Sequence, residues 1–235
     1  MQIKSFLKLY WPYLVISALS FFIIWPTLLP GYFSHHDDLQ VMRIFEMRKC
    51  ILDLQIPCRW VPDMGWGNGY PLFNYYAVLP YYIGGIVSFL IGYVASAKLL
   101  FLLPLVLGGF FMYKFVKELT GIFPALTAAV FYMFAPFKAL DSYVRGDVAE
   151  SFATALIPLV CYFIYKLIKM GQIKFMIGLS LSFAAFLLSH NIMTVLFSPV
   201  ILILFFFWLW QEKFKNWKMT ALGLVLGVGL SAFFI

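Results

Sequence analysis

The residues best suited to chemistry stand directly after the first apolar segment, in the run Ser34-His35-His36-Asp37-Asp38. Two adjacent carboxylates beside imidazole rings can ligate a divalent cation, or one can act as a general base while a partner holds the other. Asp37 and Asp38 are therefore candidate catalytic residues and metal ligands, and His35 and His36 are candidate substrate-binding residues. A structural interpretation stays open, because Ser34 and Asp37 match a capping box at the start of a helix.

A second polar cluster surrounds Arg145. The planar guanidinium group of Arg145 suits a phosphate or carboxylate bound through two hydrogen bonds. Asp147 and Glu150 could orient that group or complete a metal site. They could also cap the next helix and pair with Arg145, an exposed arrangement that contributes little free energy. We favour the functional interpretation, because this cluster is predicted to face Asp37 and Asp38.

Residues 57–76 have the composition of a turn-rich loop with exposed aromatic rings. Three glycines at alternate positions and three prolines break helices, and the six aromatic residues favour an interface. Rings beside polar groups suit a sugar or an isoprenoid, although any loop at a membrane interface contains them. Together with Arg43 from the preceding segment, the candidate substrate-binding residues here are Arg59, Trp60, Asp63 and Tyr76.

His190 interrupts the apolar sequence at Leu188-Ser189-His190-Asn191. A histidine at a membrane boundary can bind a substrate head group, but it can also serve as an ordinary interfacial hydrogen-bonding residue. His190 is therefore a secondary substrate-binding candidate.

The segment between the two histidines and the aromatic loop predicts an amphipathic helix beside the membrane. Polar side chains recur at helical spacing at Gln40, Arg43, Glu46, Lys49 and Asp53. The apolar side chains between them would rest on lipid or protein while the polar stripe faces water. Such a helix would hold the acids at the bilayer surface.

The composition requires a membrane around this chain. Of its 235 residues, 63% are hydrophobic and only 11% are charged, so a water-soluble exterior could not be built from them. The formal net charge of +7 does not indicate nucleic-acid binding, because the lysines stand in short loops between apolar segments. We expect an all-α polytopic protein with the lipid bilayer as its main partner and no nucleic acid.

About seven or eight apolar segments are long enough to consider as membrane spans. They cover approximately residues 11–30, 77–94, 99–113, 122–137, 151–165, 175–188, 192–210 and 219–235. We expect a single transmembrane domain over residues 1–235, with a first outer loop at 31–76 and a second at 138–150. The last segment reaches the C-terminus without a polar flank, which suggests the N-terminal part of a longer chain.

Lysines predict which loops are cytoplasmic. Lys4 and Lys8 precede the first segment and place the N-terminus in the cytoplasm, and two later loops carry three lysines each. All four arginines and eight of the ten acids fall in the two loops placed outside. This count requires residues 77–94 to begin and end outside, so that Gly84-Gly85 would permit a broken or re-entrant helix.

Three cysteines do not make a disulfide framework. Cys161 lies within an apolar segment, while Cys50 and Cys58 share the first outer loop and could pair on an oxidising side. We expect two unpaired thiols there, because closeness in sequence does not establish the geometry of a disulfide.

The first outer loop also resembles a known family. The motifs are His36-Asp37, Arg43, Ile56-Pro57-x-Arg59-Trp60-x-Pro62-Asp63, Gly67-x-Gly69-Tyr70-Pro71-Leu72-Phe73-Asn74-Tyr75-Tyr76 and Leu79-Pro80-Tyr81-Tyr82. They resemble the bacterial membrane proteins known as 6-pyruvoyl-tetrahydropterin synthase-related, over residues 28–200. The zinc-binding histidine set of soluble pterin synthases is absent, so the resemblance does not imply pterin chemistry.

The layout further resembles the GT-C glycosyltransferases, which carry an acidic motif in the first outer loop beside juxtamembrane helices. That resemblance implies a polyprenyl-phosphate-linked sugar as donor, Asp37 or Asp38 as catalytic base or ligand of a divalent metal, and a site on the outer face of the bacterial cytoplasmic membrane. Two other functions stay open. The chain could be a transporter or lipid-handling protein without catalysis, or a non-catalytic partner subunit.

Overall fold

A computed structural model of the chain describes the backbone of residues 2–234 and the side chains of residues 10–234. The predicted roles of Lys4 and Lys8 lie outside the described side chains. The helices are α1 (Gln2–Leu28), α2 (Gln40–Leu52), α3 (Leu79–Ile91), α4 (Tyr93–Leu119), α5 (Ile122–Met133), α6 (Pro136–Leu140), α7 (Val148–Met170), α8 (Ile173–Leu187), α9 (Asn191–Gln211) and α10 (Trp217–Ser231). Within the described residues, strand-like pairing is confined to one bridge between Val61 and Tyr70. The prediction of an all-α protein is confirmed.

Five helical segments of the described chain are long and apolar enough to cross a bilayer. They are Tyr10–Leu28, Tyr93–Leu119, Ile122–Arg145, Val148–Met170 and Asn191–Gln211. The prediction of an integral membrane protein is confirmed, whereas three of the predicted spans correspond to the shorter apolar helices α3, α8 and α10. Helix α7 occupies the centre of the bundle, and its small side chains admit close neighbours: Gly108 of α4 packs against Ala155.

The helix bundle has two polar ends. We call the end that carries residues 31–76, 141–150 and 188–191 the polar face. At the opposite end Lys166 pairs with Glu118 at 3.1 Å and Lys169 with Glu212 at 3.9 Å, and we call this end the lysine face. The loops predicted to share a side therefore do share one.

Helix α3 begins and ends at the polar face. At its start, the Val78 and Leu79 amides both donate to Leu188 O at 3.1 Å. At its end, the chain turns at Gly92 into α4, whose Lys98 donates to the Leu29 carbonyl just beyond α1. Its 13 residues span about 20 Å, less than the roughly 30 Å of a hydrocarbon core. Residues 77–94 therefore begin and end on the same face, as predicted, and do so as a short helix.

Helix α2 exists as predicted, but its polar stripe does not face water. Gln40, Arg43 and Glu46 are all buried, because the two outer segments fold over this side of the helix. On another side α2 packs along α3 through glycines, where a Cβ on Gly84 would lie 2.9 Å from Ile44 Cγ1. The prediction of a water-exposed polar face was wrong for these three residues.

The second outer segment, residues 138–150, is largely helical: α6 continues into a π-helical turn at Asp141–Arg145, and α7 begins at Val148. One expectation about the first outer segment was wrong, because Cys50 and Cys58 form a disulfide instead of two free thiols. The chain turns after α2, with Gln55 donating to Cys50 O at 2.9 Å, and this brings the two Cα atoms to 5.5 Å, within the range that a disulfide requires.

Candidate functional site

The two polar segments that carry the candidate residues are joined by hydrogen bonds on the polar face. The His36 amide donates to Val144 O at 2.9 Å, and the Asp37 amide donates to Arg145 O at 2.8 Å. Gly146 makes this approach possible: its φ is +72°, and a Cβ there would lie 2.5 Å from His35 Cβ. The structure therefore brings the acidic run after α1 and the Arg145 cluster together.

Asp37 is held firmly by one of its two carboxylate oxygens. Three donors reach Oδ2: Arg43 at 2.6 Å, Tyr76 at 3.1 Å and Gln40 at 3.2 Å. Within the described residues no hydrogen bond to Oδ1 occurs, and the side chain is 26% exposed. Asp37 thus has one fixed oxygen and one that an incoming group can reach.

The partners of Asp37 form their own network. The Arg43 guanidinium lies 4.2 Å from the centre of the Tyr76 ring, and the Tyr81 hydroxyl donates to Gln40 Oε1 at 2.7 Å. Burial raises the pKa of the Tyr76 phenol, so Tyr76 stays protonated and serves as a hydrogen-bond donor. Arg43 is buried beneath this network, so its role is to orient Asp37.

Asp38 and the two histidines differ in exposure. Asp38 and His36 are exposed, and Asp38 makes no hydrogen bond or ion pair with any described residue. His35 is buried, with its ring stacked on Phe101 at 4.6 Å, and burial lowers the pKa of its imidazole. Helix α2 begins only at Gln40 and its N-cap Leu39 makes no side-chain hydrogen bond, so the alternative interpretation of Ser34 and Asp37 as a capping box was wrong.

Arg145 lies among three carboxylates. Its guanidinium nitrogens are 3.0 Å from Asp141, 3.4 Å from Asp147 and 2.5 Å from Glu150. The π-helical turn that ends at Arg145 points these groups toward one another, and such turns are frequent at functional sites. Asp147 also caps α7 by accepting the Glu150 amide at 2.9 Å, so it has the structural role that the sequence left open.

His190 joins this cluster from the start of α9, with Nε2 at 3.8 Å from Asp147 Oδ2. Asp147, Glu150 and His190 are the one group of three metal-ligating types that the described residues bring within 4.8 Å of one another. However, His190 Nδ1 accepts the Met193 amide at 3.2 Å, so the neutral ring carries its proton on Nε2. An N–H facing Asp147 is a donor, and the trio therefore does not fit a metal ion.

The remaining candidates lie in the disulfide-linked loop. Arg59 is exposed and donates to Asn74 Oδ1 at 2.8 Å and to Phe233 O at 2.9 Å. The Trp60 ring covers Gly69, and Asp63 pairs with Lys49. None of these three loop residues contacts Asp37 or Arg145 within the described chain. The structure thus separates them from the two clusters that it joins.

Three residues of the network were missed as site residues in the sequence: Gln40, Tyr81 and Asp141. A fourth polar residue, the buried Lys138, was missed as well. Gln40 and Tyr81 support Asp37, and Asp141 pairs with Arg145. Asp141 could have been recognised by its position four residues before Arg145, because residues four apart share one face of a helix. Lys138 gave a different signal, a lone cation at the end of an apolar segment.

Comparison with known proteins assigns the chain to a family. The sequence profile of the 6-pyruvoyl-tetrahydropterin synthase related domain, described as a membrane protein, matches residues 73–235, more than half of the chain. The chain belongs to the 6-pyruvoyl-tetrahydropterin synthase related family of membrane proteins. The matched range includes Tyr76, the Arg145 cluster and His190.

One relative extends the similarity over nearly the whole chain. An uncharacterized protein of Lactococcus lactis subsp. cremoris (strain MG1363) is 22% identical over 236 residues, which cover 95% of this chain. The chain spans 38% of the length of that protein. No solved structure matches the chain.

Proposed function

We propose that this member of the family is the membrane core of a GT-C-like glycosyltransferase. It would transfer a sugar from a polyprenyl-phosphate-linked donor to an acceptor at the polar face, which would lie outside the cytoplasmic membrane with the N-terminus inside. The observation that carries the proposal is the pairing of His36-Asp37 with Val144-Arg145. These backbone hydrogen bonds join the segment that carries a carboxylate with one free oxygen to the segment that carries a partly exposed guanidinium group.

The chemistry proposed is a direct displacement. Oδ1 of Asp37 takes the proton of the acceptor hydroxyl. The acceptor oxygen then attacks the sugar carbon, and the bond between that carbon and the phosphate oxygen breaks. The three donors on Oδ2 hold Asp37 in position for that step. The leaving phosphate carries negative charge that a cation must stabilise. Arg145 is 40% exposed at the polar face but is paired with three acids, so in this scheme one of those ion pairs opens when the phosphate binds.

A divalent cation at Asp37 and Asp38 would be an alternative to general-base catalysis by Asp37. Among the described residues of this site, Asp37 Oδ1 and the unpaired Asp38 carboxylate are the oxygens that could hold it, because Arg43 already occupies Oδ2, and a cation on Oδ1 would take the place of the proton. Metal dependence of transfer is therefore part of the proposal to be measured. It is tested by chelation followed by addition of Mg²⁺ or Mn²⁺.

A second function, lipid handling without catalysis, is favoured by one specific observation. Lys138, Asp141 and Glu150 are buried within candidate membrane spans, although the sequence indicated almost no ionisable groups inside helices. Buried charges in a membrane protein mark paths for polar groups. The third alternative, a partner subunit without its own catalysis, applies to a chain that spans 38% of a relative's length.

The test is sugar transfer by the natural full-length protein in liposomes, supplied with radiolabelled polyprenyl-phosphate-linked hexoses. We expect Asp37→Asn to lower the rate of transfer by about 10²–10⁴-fold, as for loss of a general base. Asp53→Asn, an exposed acid beyond α2, is the matched control and should leave the rate unchanged. Wild-type transfer in the Asp37→Asn and Asp38→Asn double variant would refute the proposal, and lipid movement without transfer would support the second function.

A further inference from the structure

An apolar cavity of about 380 Å³ lies beneath the Arg145 cluster. Its walls come from α5, α6, α7 and α9, and include Tyr132, Phe137, Thr154, Met193 and Leu196. Such a volume is typical of small-molecule sites, which measure roughly 300–1,000 Å³. Phe137 and Leu196 are exposed at its rim, where a membrane-spanning chain meets lipid.

The cavity is connected to the charged cluster through three of its walls, α6, α7 and α9. Thr154 Oγ1 donates to Glu150 O at 3.0 Å, one turn along α7. Met193 donates its amide to His190 Nδ1 on α9, and the Arg145 guanidinium lies 6.0 Å from the centre of the Phe137 ring. A molecule in the cavity would therefore have its chain among apolar side chains and its polar end near the polar face.

Lys138 supplies a cation inside this apolar space. It lines the cavity and is only 5% exposed, and it donates to Thr154 Oγ1 while lying 5.5 Å from the centre of the Tyr132 ring. No carboxylate of the described residues forms an ion pair with it. Asp141 and Glu150 stabilise the positive charge of Lys138 electrostatically, but both are ion-paired with Arg145.

A buried ammonium group with three donors and one hydrogen-bond acceptor is incompletely satisfied. Arg145, in contrast, is already surrounded by three carboxylates, which oppose the approach of an anion. The cation with free hydrogen-bonding capacity is therefore Lys138, and it is complementary to an anionic group attached to a hydrocarbon chain.

We propose that the cavity binds one hydrocarbon chain of a membrane lipid and that Lys138 binds the phosphate of the same lipid. The donor of the proposed transfer is one lipid of this class, and to that extent the inference rests on the proposed function. The binding itself requires no transfer, so it is measured without turnover.

The experiment uses the natural full-length protein in neutral detergent, titrated with phosphatidic acid and followed by native mass spectrometry. Diacylglycerol with the same chains and inorganic phosphate are the two comparison probes. We expect phosphatidic acid to bind more tightly than diacylglycerol, and inorganic phosphate alone not to bind. Lys138→Met should weaken phosphatidic acid binding by about ten- to a hundredfold and leave diacylglycerol binding unchanged. Lys174→Met, on the lysine face, is the control.

Binding of the hydrocarbon chain is tested by a matched pair of substitutions on α9. Leu196 lines the cavity and is 58% exposed, whereas Ile203 lies two turns further along, is 68% exposed and lines no described cavity. Leu196→Trp should weaken binding of both lipids by about tenfold, and Ile203→Trp should weaken neither. Both substitutions are at lipid-facing positions, so a general folding defect would affect them alike.

Two results would overturn the inference. One is phosphatidic acid binding by Lys138→Met that equals wild type, and the other is equal effects of Leu196→Trp and Ile203→Trp. Replacing a buried charge by an apolar side chain of similar volume is often neutral or stabilising, so Lys138→Met should fold. Asp37→Asn should bind lipid normally. If sugar transfer depends on Asp37 but lipid binding does not depend on Lys138, the lipid-binding inference is refuted and the proposed function is not.

Discussion

Asp37 and Arg145 have opposite surroundings. Arg43, Tyr76 and Gln40 stabilise the charge of Asp37 and leave one oxygen free. Three acids surround the charge of Arg145. Sequence spacing could suggest the partners of Arg145, which are close along the chain, but not Tyr76, which reaches Asp37 from 39 positions away.

Glu46 should make the stability of the protein depend on pH. Its side chain is buried, Oε1 accepts the Asp63 amide at 3.2 Å, and Oε2 has no hydrogen-bond partner among the described residues. Burial, with repulsion from Asp63, raises the pKa of Glu46. Its contribution to stability is therefore fully present below the pKa of the unfolded chain and is lost as pH rises through the folded pKa.

We accordingly expect Glu46→Gln to raise the thermal unfolding midpoint at pH 7, because the amide keeps the acceptor oxygen and removes the buried charge. The gain should shrink toward pH 4, where the wild-type carboxyl is protonated. Thermal unfolding of both proteins in detergent across this range measures it, with Asp53→Asn as the exposed control. A gain that does not change with pH would contradict this account of Glu46.

At the scale of elements, helix positions followed from the apolar pattern, but the surroundings of α2 did not. The periodicity of residues 40–53 correctly indicated a helix, and its polar stripe suggested water on one side. The stripe is buried because residues distant in sequence supply its partners, such as Gly146 for Gln40 at 2.7 Å. Periodicity identifies a polar face but not whether protein or water covers it.

Gly146 is the position on which contact between the two clusters depends. Gly146→Ala would place a side chain in a left-handed conformation, at a cost of about 1–2 kcal/mol, and against His35. We expect the unfolding midpoint and the rate of transfer both to fall. Gly67→Ala is the matched control, since Gly67 also has a positive φ but no atom within 4 Å of an added Cβ. Equal effects of the two substitutions would show that the close approach to His35 is unimportant.

For the whole molecule, composition was sufficient to predict a helical membrane protein, and the loop charges predicted which loops share an end. The number of spans did not follow from composition, because an apolar helix that returns to the face where it began has the same composition as one that crosses. Helix α3 shows this: hydrogen bonds at its start and from α4 just after its end place both ends at the polar face, and residues 77–94 alone did not determine them. The disulfide was missed for a similar reason, since a turn after α2 creates its geometry.

We propose that a lipid-linked substrate reacts at the polar face, between Asp37 and Arg145. The most direct measurement is a structure of the natural full-length protein with a non-hydrolysable polyprenyl-phosphate-sugar analogue. We predict that the sugar lies between Asp37 and Arg145 and that the lipid chain occupies the cavity lined by Lys138 and Leu196. Density for the head group at the lysine face, or anywhere away from Asp37, would refute a reaction site between these two residues.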